Sequence, residues 1–454
     1  MEDLEAAGYS ETQAFSLLYS GGLKIYSTQD PTIQAICDEV CSNEENYPDG
    51  TTWYLNYQLT IQHANGETNN YSKEMLEDYL KQNGSDKKYP LLFSSQDDAY
   101  AAAENYKASL LQDGDEVLAE KISMTPQPQI SMTIEDQSTG NVVALVGGRG
   151  AKEANRTLNR ATSTTRQPGS TFKMVSSTAA LMEHVIDLTT RIECPGIFTR
   201  FSDYQPRCWK RSGHGSLNVS EAITNSCNVF FYEVGYQLGL NGDKYDQDLG
   251  NEKLAKYASM YGLNEKSGIE IEESEPQISD ALSVVSAIGQ GTNNFTTVGL
   301  ARYVTTVANS GTCYDLTLLD KVTDTSGNLL VNYSANVRNT IDMPQSYWNA
   351  IHQGMRGVVQ NKKYYQDFGV EVAGKTGTAE EDKSRPNHGL FVGYAPYDNP
   401  EVSMAIRIAN GYSSDYACQL SKQLMTVYFD LDENGALTDS QTALSLETVV
   451  GGGD

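Results

Sequence analysis

The chain is short of positive charge: 33 Lys and Arg stand against 59 Asp and Glu, a formal net charge of −26 over 454 residues. That balance excludes nucleic acid and anionic membrane surfaces as general partners. The acidic excess is densest in the first 130 residues. Long apolar runs are also missing. No stretch approaches the roughly 20 residues needed to cross a bilayer, and the opening from Met1 has no signal-peptide pattern. Histidine is sparse, with 5 scattered copies, and no Cys/His group has zinc-finger spacing. The sequence therefore assigns no metal and no cofactor. There is no internal repeat and no heptad run. The 7 cysteines cannot all pair within the chain. Cys194 and Cys208 flank a loop and could bridge, whereas Cys37 and Cys41 are spaced for one face of a helix. The length exceeds one ordinary domain and can bury a large core.

Against these absences stand three short motifs. Lys375-Thr376-Gly377-Thr378 contains the one Lys-Thr-Gly in the chain, and upstream lie Ser170-Thr171-Phe172-Lys173 and Ser226-Cys227-Asn228. Each alone is weak. Ser85 and Lys88 repeat the first spacing, and Ser-x-Asn recurs at Ser216/Asn218, Ser326/Asn328 and Ser334/Asn336. Context separates them. Ser85 lies in a polar run with turn chemistry and reads as a solvated loop. Ser170 follows Arg166-Gln167-Pro168-Gly169 and is expected to open a helix through Val185, because Phe172, Val175, Ala179, Met182 and Val185 recur at helical spacing.

The chemistry asks for this placement. A serine hydroxyl needs a base within hydrogen-bond reach to act as a nucleophile at neutral pH. Residues three apart share a helix face, so Lys173 is placed to take the proton of Ser170. Burial and a neighbouring cation such as Lys375 would lower its pKa and keep it neutral. Ser226 is expected at a turn between two helix ends, where it relays a proton while Asn228 holds a substrate amide; helix capping by either residue is the plain alternative. The Lys375 motif is expected late on a strand leading into an acidic loop at Glu380, Glu381 and Asp382. A substrate along that edge would gain main-chain hydrogen bonds, with Lys375, Thr376 and Thr378 facing its carboxylate and Gly377 permitting close approach. The N–H groups of Ser170 and Thr378 are candidates for an oxyanion hole.

Together with Thr139 to Arg149, Asn159-Arg160-Ala161, Ile288-Gly289-Gln290-Gly291 and Val307 to Gly311, these motifs resemble the transpeptidase domain of class A penicillin-binding proteins. The opening Gly21 to Asp30 is similar to the linker that precedes that domain. The resemblance implies a peptidoglycan D,D-transpeptidase acting through a Ser170 acyl-enzyme. It implies stem peptides ending in D-Ala-D-Ala as substrates, β-lactams as covalent inhibitors, and a place on the outer face of the bacterial membrane. A class A protein would also carry a membrane helix and a glycosyltransferase domain, so the chain reads as a soluble truncated form or a monofunctional protein, with membrane anchoring only through a segment it lacks. Cys227 fills a variable position of its motif. Two other functions stay open: a carboxypeptidase or β-lactamase, and a catalytically silent β-lactam sensor.

Organisation follows from periodicity. Residues 1–125 are expected to form a linker and a small α/β domain, with Tyr54 to Ile61 a strand, His63 to Asn70 a turn, and Lys73 to Leu80 and Asp97 to Leu111 helical. Pro126-Gln127-Pro128 marks the boundary to a transpeptidase-like domain over 126–430. There, hairpins at 129–146 and 388–408 and a helix at 413–429 predict an α+β fold, an antiparallel sheet covered by helices. Residues 431–454 read as a frayed tail. Arg200, Arg207, Lys210, Arg211 and His214 make a local basic run, either a solvated loop or a rim of the cleft.

Overall fold

A computed structural model of the chain describes residues 1–47, 51–84, 88–150, 157–379, 387–411, 413–432 and 434–437. Ser85, the acidic residues Glu380 to Asp382 and the tail from 438 lie outside the described residues. The chain divides into two compact units: Ser42–Gln129 with Arg149–Asn155, and the rest. Residues 1–41 therefore group with the larger unit, although the sequence pattern groups them with the small one.

The small unit is built on the strand Thr52–Gln62, paired antiparallel along its length with Glu116–Gln127 and flanked by Thr68–Tyr71 and Leu92–Phe93. Alternation along the first strand buries Leu55, Tyr57, Leu59 and Ile61, which pack with Leu76, Leu80, Ala99 and Ala103 of the helices Lys73–Gln82 and Gln96–Leu110. Two elements differ from the sequence reading. The expected turn through Asn70 ends early in a short strand, and Pro126 lies within a long strand at its last residues. The partner strand escapes detection because its first half is exposed and shows no apolar alternation.

The larger unit holds an antiparallel five-stranded sheet of β1 (Ile130–Asp136), β2 (Val142–Val146), β3 (Ala373–Ala379), β4 (His388–Ala395) and β5 (Val402–Ile408), in the order β3-β4-β5-β1-β2. One row of partners runs Lys375, Val392, Ala405, Thr133 and Leu145. Every residue of β4 and β5 is buried, so both faces of the sheet are covered. The covering helices include α4 (Thr297–Ala308), buried throughout and packed on β5 and β1, and α6 (Ser414–Tyr428), packed on β4 and β5. The fold is the expected α+β arrangement, and both hairpins lie where turn chemistry puts them. The largest core gathers round α1 (Lys173–Met182), of which Lys173 through Leu181 are buried. Between α1 and α4 come α2 (Val219–Thr224) and α3 (Asn228–Leu238), and α5 (Gln345–Gln360) packs on α2 and β3.

Candidate active site

Ser170 does not open the α-helix. It sits on a single 3-10 turn, Gly169–Phe172, and α1 starts at Lys173. Two contacts impose the turn. Gly169 has φ +53°, and a Cβ there would lie 2.5 Å from Thr378 O. Gly289 backs the turn from the other side: its O accepts from Gly169 N at 3.0 Å, and its own Cβ would fall 2.0 Å from Gly169 O. The Gly289 segment thus clamps the Ser170 turn against β3, a role that spacing alone does not reveal. Tyr303 of α4 adds a hydrogen bond from its OH to Thr171 O at 2.9 Å.

Lys173 is wholly buried and donates to Ser226 O (2.9 Å), Ser226 Oγ (3.2 Å) and Asn228 Oδ1 (2.8 Å). None of these contacts is to Ser170. Lys375, also fully buried, donates to the same Ser226 Oγ at 3.0 Å and to Thr376 O at 2.9 Å. Two lysine side chains therefore meet on one hydroxyl. Burial pushes the Lys173 amine down to about 7, against a smaller opposing pull from Cys227 and Cys208. Burial holds Lys375 well below its ordinary range, and repulsion from Lys173 adds to this. The expected direction for Lys173 holds, with desolvation as the cause; the mutual repulsion falls on Lys375. Among the described residues, none of the hydrogen bonds made by Lys173, Lys375 or Ser226 goes to a carboxylate.

The second motif lies between two helix ends, as expected. Asn218 and Glu221 form a capping box at the start of α2, and the chain leaves that helix at Asn225. Ser226 follows at φ +48°, a left-handed conformation that costs a non-glycine residue energy and is kept where the surroundings enforce it. Neither Ser226 nor Asn228 caps α3. The N-cap is Cys227, whose Sγ accepts from Phe230 N at 3.5 Å. Ser226 and Asn228 are thus released from capping to face the lysines.

Among the described residues β3 is an edge strand, with β4 on one side and no strand on the other. Lys375 and Gly377 are buried, Thr376 is half-buried and Thr378 exposed. A Cβ at Gly377 would meet Pro168 O at 2.7 Å and Thr171 Cγ2 at 2.8 Å. Glycine is needed here so that the strand can press against the Ser170 turn. The eight residues singled out by motif lie on three segments of the chain: Ser170 and Lys173 on the 3-10 turn and the start of α1, Ser226 and Asn228 on the turn into α3, and Lys375, Thr376, Gly377 and Thr378 on β3.

The basic run between the first two motifs does not act as a unit. Arg200 makes a two-pronged bridge to Glu233 at 2.7 and 3.0 Å, while Arg207, Lys210 and Arg211 are exposed. His214 has a different neighbourhood. Cys194, Cys208, His214 and Cys227 bring their donor atoms within 4.8 Å of one another. The spacing, Cys-x13-Cys-x5-His-x12-Cys, matches no familiar ligand pattern, which is why the sequence assigns no metal. All 7 cysteines are buried, and Cys194 and Cys208 are not joined in a disulfide. A hydrogen bond with Cys227 and several backbone N–H groups favour the thiolate of Cys208.

Residues 130–426 match the penicillin-binding protein transpeptidase domain. The relatives include peptidoglycan D,D-transpeptidase MrdA of Haemophilus influenzae, 28% identical over 63% of this chain and 49% of that protein. Stage V sporulation protein D of Bacillus subtilis is 29% identical over 54% of this chain and 38% of that protein. The chain spans about half the length of the curated relatives it matches. Among solved structures, Pseudomonas aeruginosa PBP2 in complex with WCK 5153 superposes with a TM-score of 0.57 at 24% identity, covering 69% of this chain and 76% of that one. An imipenem acyl-enzyme complex of penicillin-binding protein A from M. tuberculosis gives 0.63 at 16% identity, covering 92% and 83%. The fold, the three adjoining motifs and the match across 130–426 agree: the chain belongs to the penicillin-binding protein transpeptidase family.

Proposed function

We propose that the protein is a peptidoglycan D,D-transpeptidase of the serine acyl-transfer type, acting outside the cytoplasm on stem peptides that end in D-Ala-D-Ala. The convergence of Lys173 and Lys375 on Ser226 beside the Ser170 turn carries this reading. Lys173 in its neutral form takes the Ser170 proton as the hydroxyl oxygen attacks the penultimate carbonyl. Ser226 relays a proton from Lys173 to the departing amine, and Lys375 keeps that hydroxyl oriented. Asn228 gives its Oδ1 to Lys173, which leaves its NH2 to hold a substrate carbonyl. The amides of Ser170 and Thr378 receive the oxyanion; the close approach of Gly169 to Thr378 supports the pairing. Thr376, Thr378 and Lys375 face the terminal carboxylate, with Gly377 admitting the substrate backbone. An amine of a second stem peptide then accepts the acyl group.

A β-lactam follows the same first step, but its leaving nitrogen stays tethered by the second ring. Adding a penicillin and measuring intact mass is expected to show one covalent equivalent, mapped by peptide digestion to Ser170. An adduct elsewhere, or none, overturns the assignment. The hydrolase reading needs a base for water at the ester. Glu221 is committed to its capping box and to Arg191, and Glu233 to Arg200. The adduct is therefore expected to persist for minutes to hours, and release within seconds would move the assignment to a β-lactamase. Turnover of a D-Ala-D-Ala thioester separates the enzyme from a silent sensor. The finer placement among class A proteins rests on the linker-like Gly21 to Asp30 and the Arg166 to Ser170 stretch; the relatives found are named as transpeptidases or a sporulation protein.

A further inference from the structure

Three cations beside the second motif stand without a partner. The loop 195–214 joins the strands Ile192–Cys194 and Gly215–Leu217 and carries Arg207, Lys210 and Arg211, all exposed. Among the described residues none of the three makes an ion pair or a side-chain hydrogen bond. Their neighbours Arg191 and Arg200 each hold a carboxylate, that of Glu221 and that of Glu233. Asp203 is the one acid of the loop, and it too is exposed. A chain of net charge −26 has carboxylates in excess, so three unpaired cations within 207–211 call for a physical reason.

The main chain that carries them is held in place. A Cβ on Gly196 would lie 2.2 Å from Arg211 O, and Gly213 N donates to Lys210 O at 3.0 Å. Phe198 N donates to Pro206 O at 3.0 Å, and the buried Phe198 ring packs on Tyr232 and Tyr236 of α3, with centres 5.8 and 6.3 Å away. The other limb is fastened to the second motif. Trp209 donates from Nε1 to Asn225 O at 3.0 Å, one residue before Ser226. Burial raises the pKa of the Tyr232 hydroxyl and the Arg211 charge opposes it, which sets Arg211 near a residue one turn along α3 from Asn228.

Trp209 is the bare tryptophan of the chain. Trp348 is 1% exposed and Trp53 half-buried, whereas Trp209 leaves 61% of its surface in water. A large aromatic ring left exposed and pinned by its N–H marks a contact surface. Such a ring next to unpaired guanidinium and ammonium groups suits a ligand with an alkyl segment and a carboxylate. On the function proposed above, Asn228 holds a carbonyl upstream of the D-Ala-D-Ala end, so the rest of the donor peptide leaves past the second motif. We propose that Arg207, Trp209, Lys210 and Arg211 form a subsite for a carboxylate borne by the donor peptide upstream of D-Ala-D-Ala, and that an anionic donor therefore acylates Ser170 faster than its neutral counterpart. The inference rests on the transpeptidase reading. The sign of the preference is telling: a net charge of −26 repels anions at long range, so a preference for them comes from local cations. Trp209 supplies a wall for the alkyl part, its N–H being engaged with Asn225.

The test uses the full chain and two penicillins that differ in one group. One carries a glutaryl amide on its 6-amino nitrogen and the other a pentanoyl amide, so a carboxylate replaces a methyl group at the end of the same chain. In low salt the glutaryl compound is expected to acylate about fivefold faster, a modest ratio because exposed ion pairs are individually weak. The ratio should fall toward one as salt is raised to about 0.5 M, where such charges are screened. It should also fall toward one when Arg207→Gln, Lys210→Gln and Arg211→Gln are combined. Combining Lys24→Gln, Lys121→Gln and Lys266→Gln, which removes the same charge from exposed lysines outside the loop, should keep it. Should the loop variant not fold, the salt series on the unaltered protein decides. A ratio near one in the unaltered protein, a ratio unmoved by salt or by the loop variant, or an equal loss in both variants overturns the subsite while the Ser170 adduct still stands. No adduct from either penicillin overturns the transpeptidase reading and the subsite with it.

Discussion

Lys173 and Lys375 share a single acceptor: both donate to Ser226 Oγ, at 3.2 and 3.0 Å, from side chains with no exposed surface. Two full ammonium charges in that arrangement would be costly, since each must leave water and each repels the other. At least one amine is therefore easily deprotonated, and Lys173 is the one beside the Ser170 turn.

Removing the base is expected to separate folding from chemistry. Lys173→Ala should slow acylation by a fluorescent penicillin by about 10² to 10⁴. Lys173→Arg should fail as well, because a guanidinium stays protonated and cannot accept the serine proton. Stopped-flow or gel-based acylation rates, compared at equal folded protein by circular dichroism, give the answer. An active arginine variant removes Lys173 from the role of base.

The acylation rate is expected to depend on pH in one direction through neutrality. Lys173 must be neutral to accept a proton, and burial places its pKa at about 7. Below that value the competent fraction falls about tenfold per pH unit; above it the rate levels. The observable is the second-order acylation constant from pH 5.5 to 9, with stability monitored at each point. A profile that falls with rising pH contradicts the proton's proposed direction.

Gly289 is expected to behave as a positioning residue far more sensitive than its distance from the chemistry suggests. A methyl group there meets Gly169 O at 2.0 Å, in a backbone conformation of φ +76° that alanine resists. Gly289→Ala should displace the Ser170 turn and slow acylation by roughly 10², as ångström misplacements do. Helical content should be retained, with the loss in rate rather than in the pH midpoint. A variant that acylates normally shows that the clamp is dispensable.

Glu135 offers a stability prediction away from the site. It lies on β1 with no exposed surface, and burial pushes its carboxyl up to about 8, more than the nearby Thr305 and Arg302 pull it down. The unfolded carboxyl ionises near 4.5. Its contribution to stability is thus complete below that value and is lost as pH rises through about 8, because only the unfolded chain gives up the proton readily. Glu135→Gln should change little with pH, so its melting temperature relative to the parent protein should climb from pH 5 to pH 8.5. A constant difference rules out the linkage.

What the sequence discloses follows how local each signal is. Ser170, Lys173, Ser226, Asn228 and the Lys375 strand are singled out by spacing because each motif spans four residues or fewer. The hairpins at 130–146 and 388–408 are legible for the same reason: alternation and turn chemistry are properties of neighbours. The 3-10 turn at Gly169–Phe172 is not, since it is imposed by Thr378 and Gly289 from distant parts of the chain. The strand Glu116–Gln127 is hidden because its exposed side chains carry no apolar period. The grouping of Cys194, Cys208, His214 and Cys227 is hidden because its members come from a loop, a strand end and a helix cap at irregular spacing.

The edge position of β3 has a bearing on biosynthesis. Lys375 reaches Ser226 across 149 positions of sequence, and β3 joins the sheet only through β4, which in turn needs β5 to bridge to β1. Pairings of such long range are slow, because the intervening chain must be closed before the contacts reward it. A nascent chain that still lacks β5 holds Ser170 and Lys173 on the Gly169–Phe172 turn and the start of α1 before β3 is docked opposite them. On the proposed function, reactivity toward a β-lactam is expected to double as a clock for the last stage of folding, switched on when the C-terminal hairpin docks.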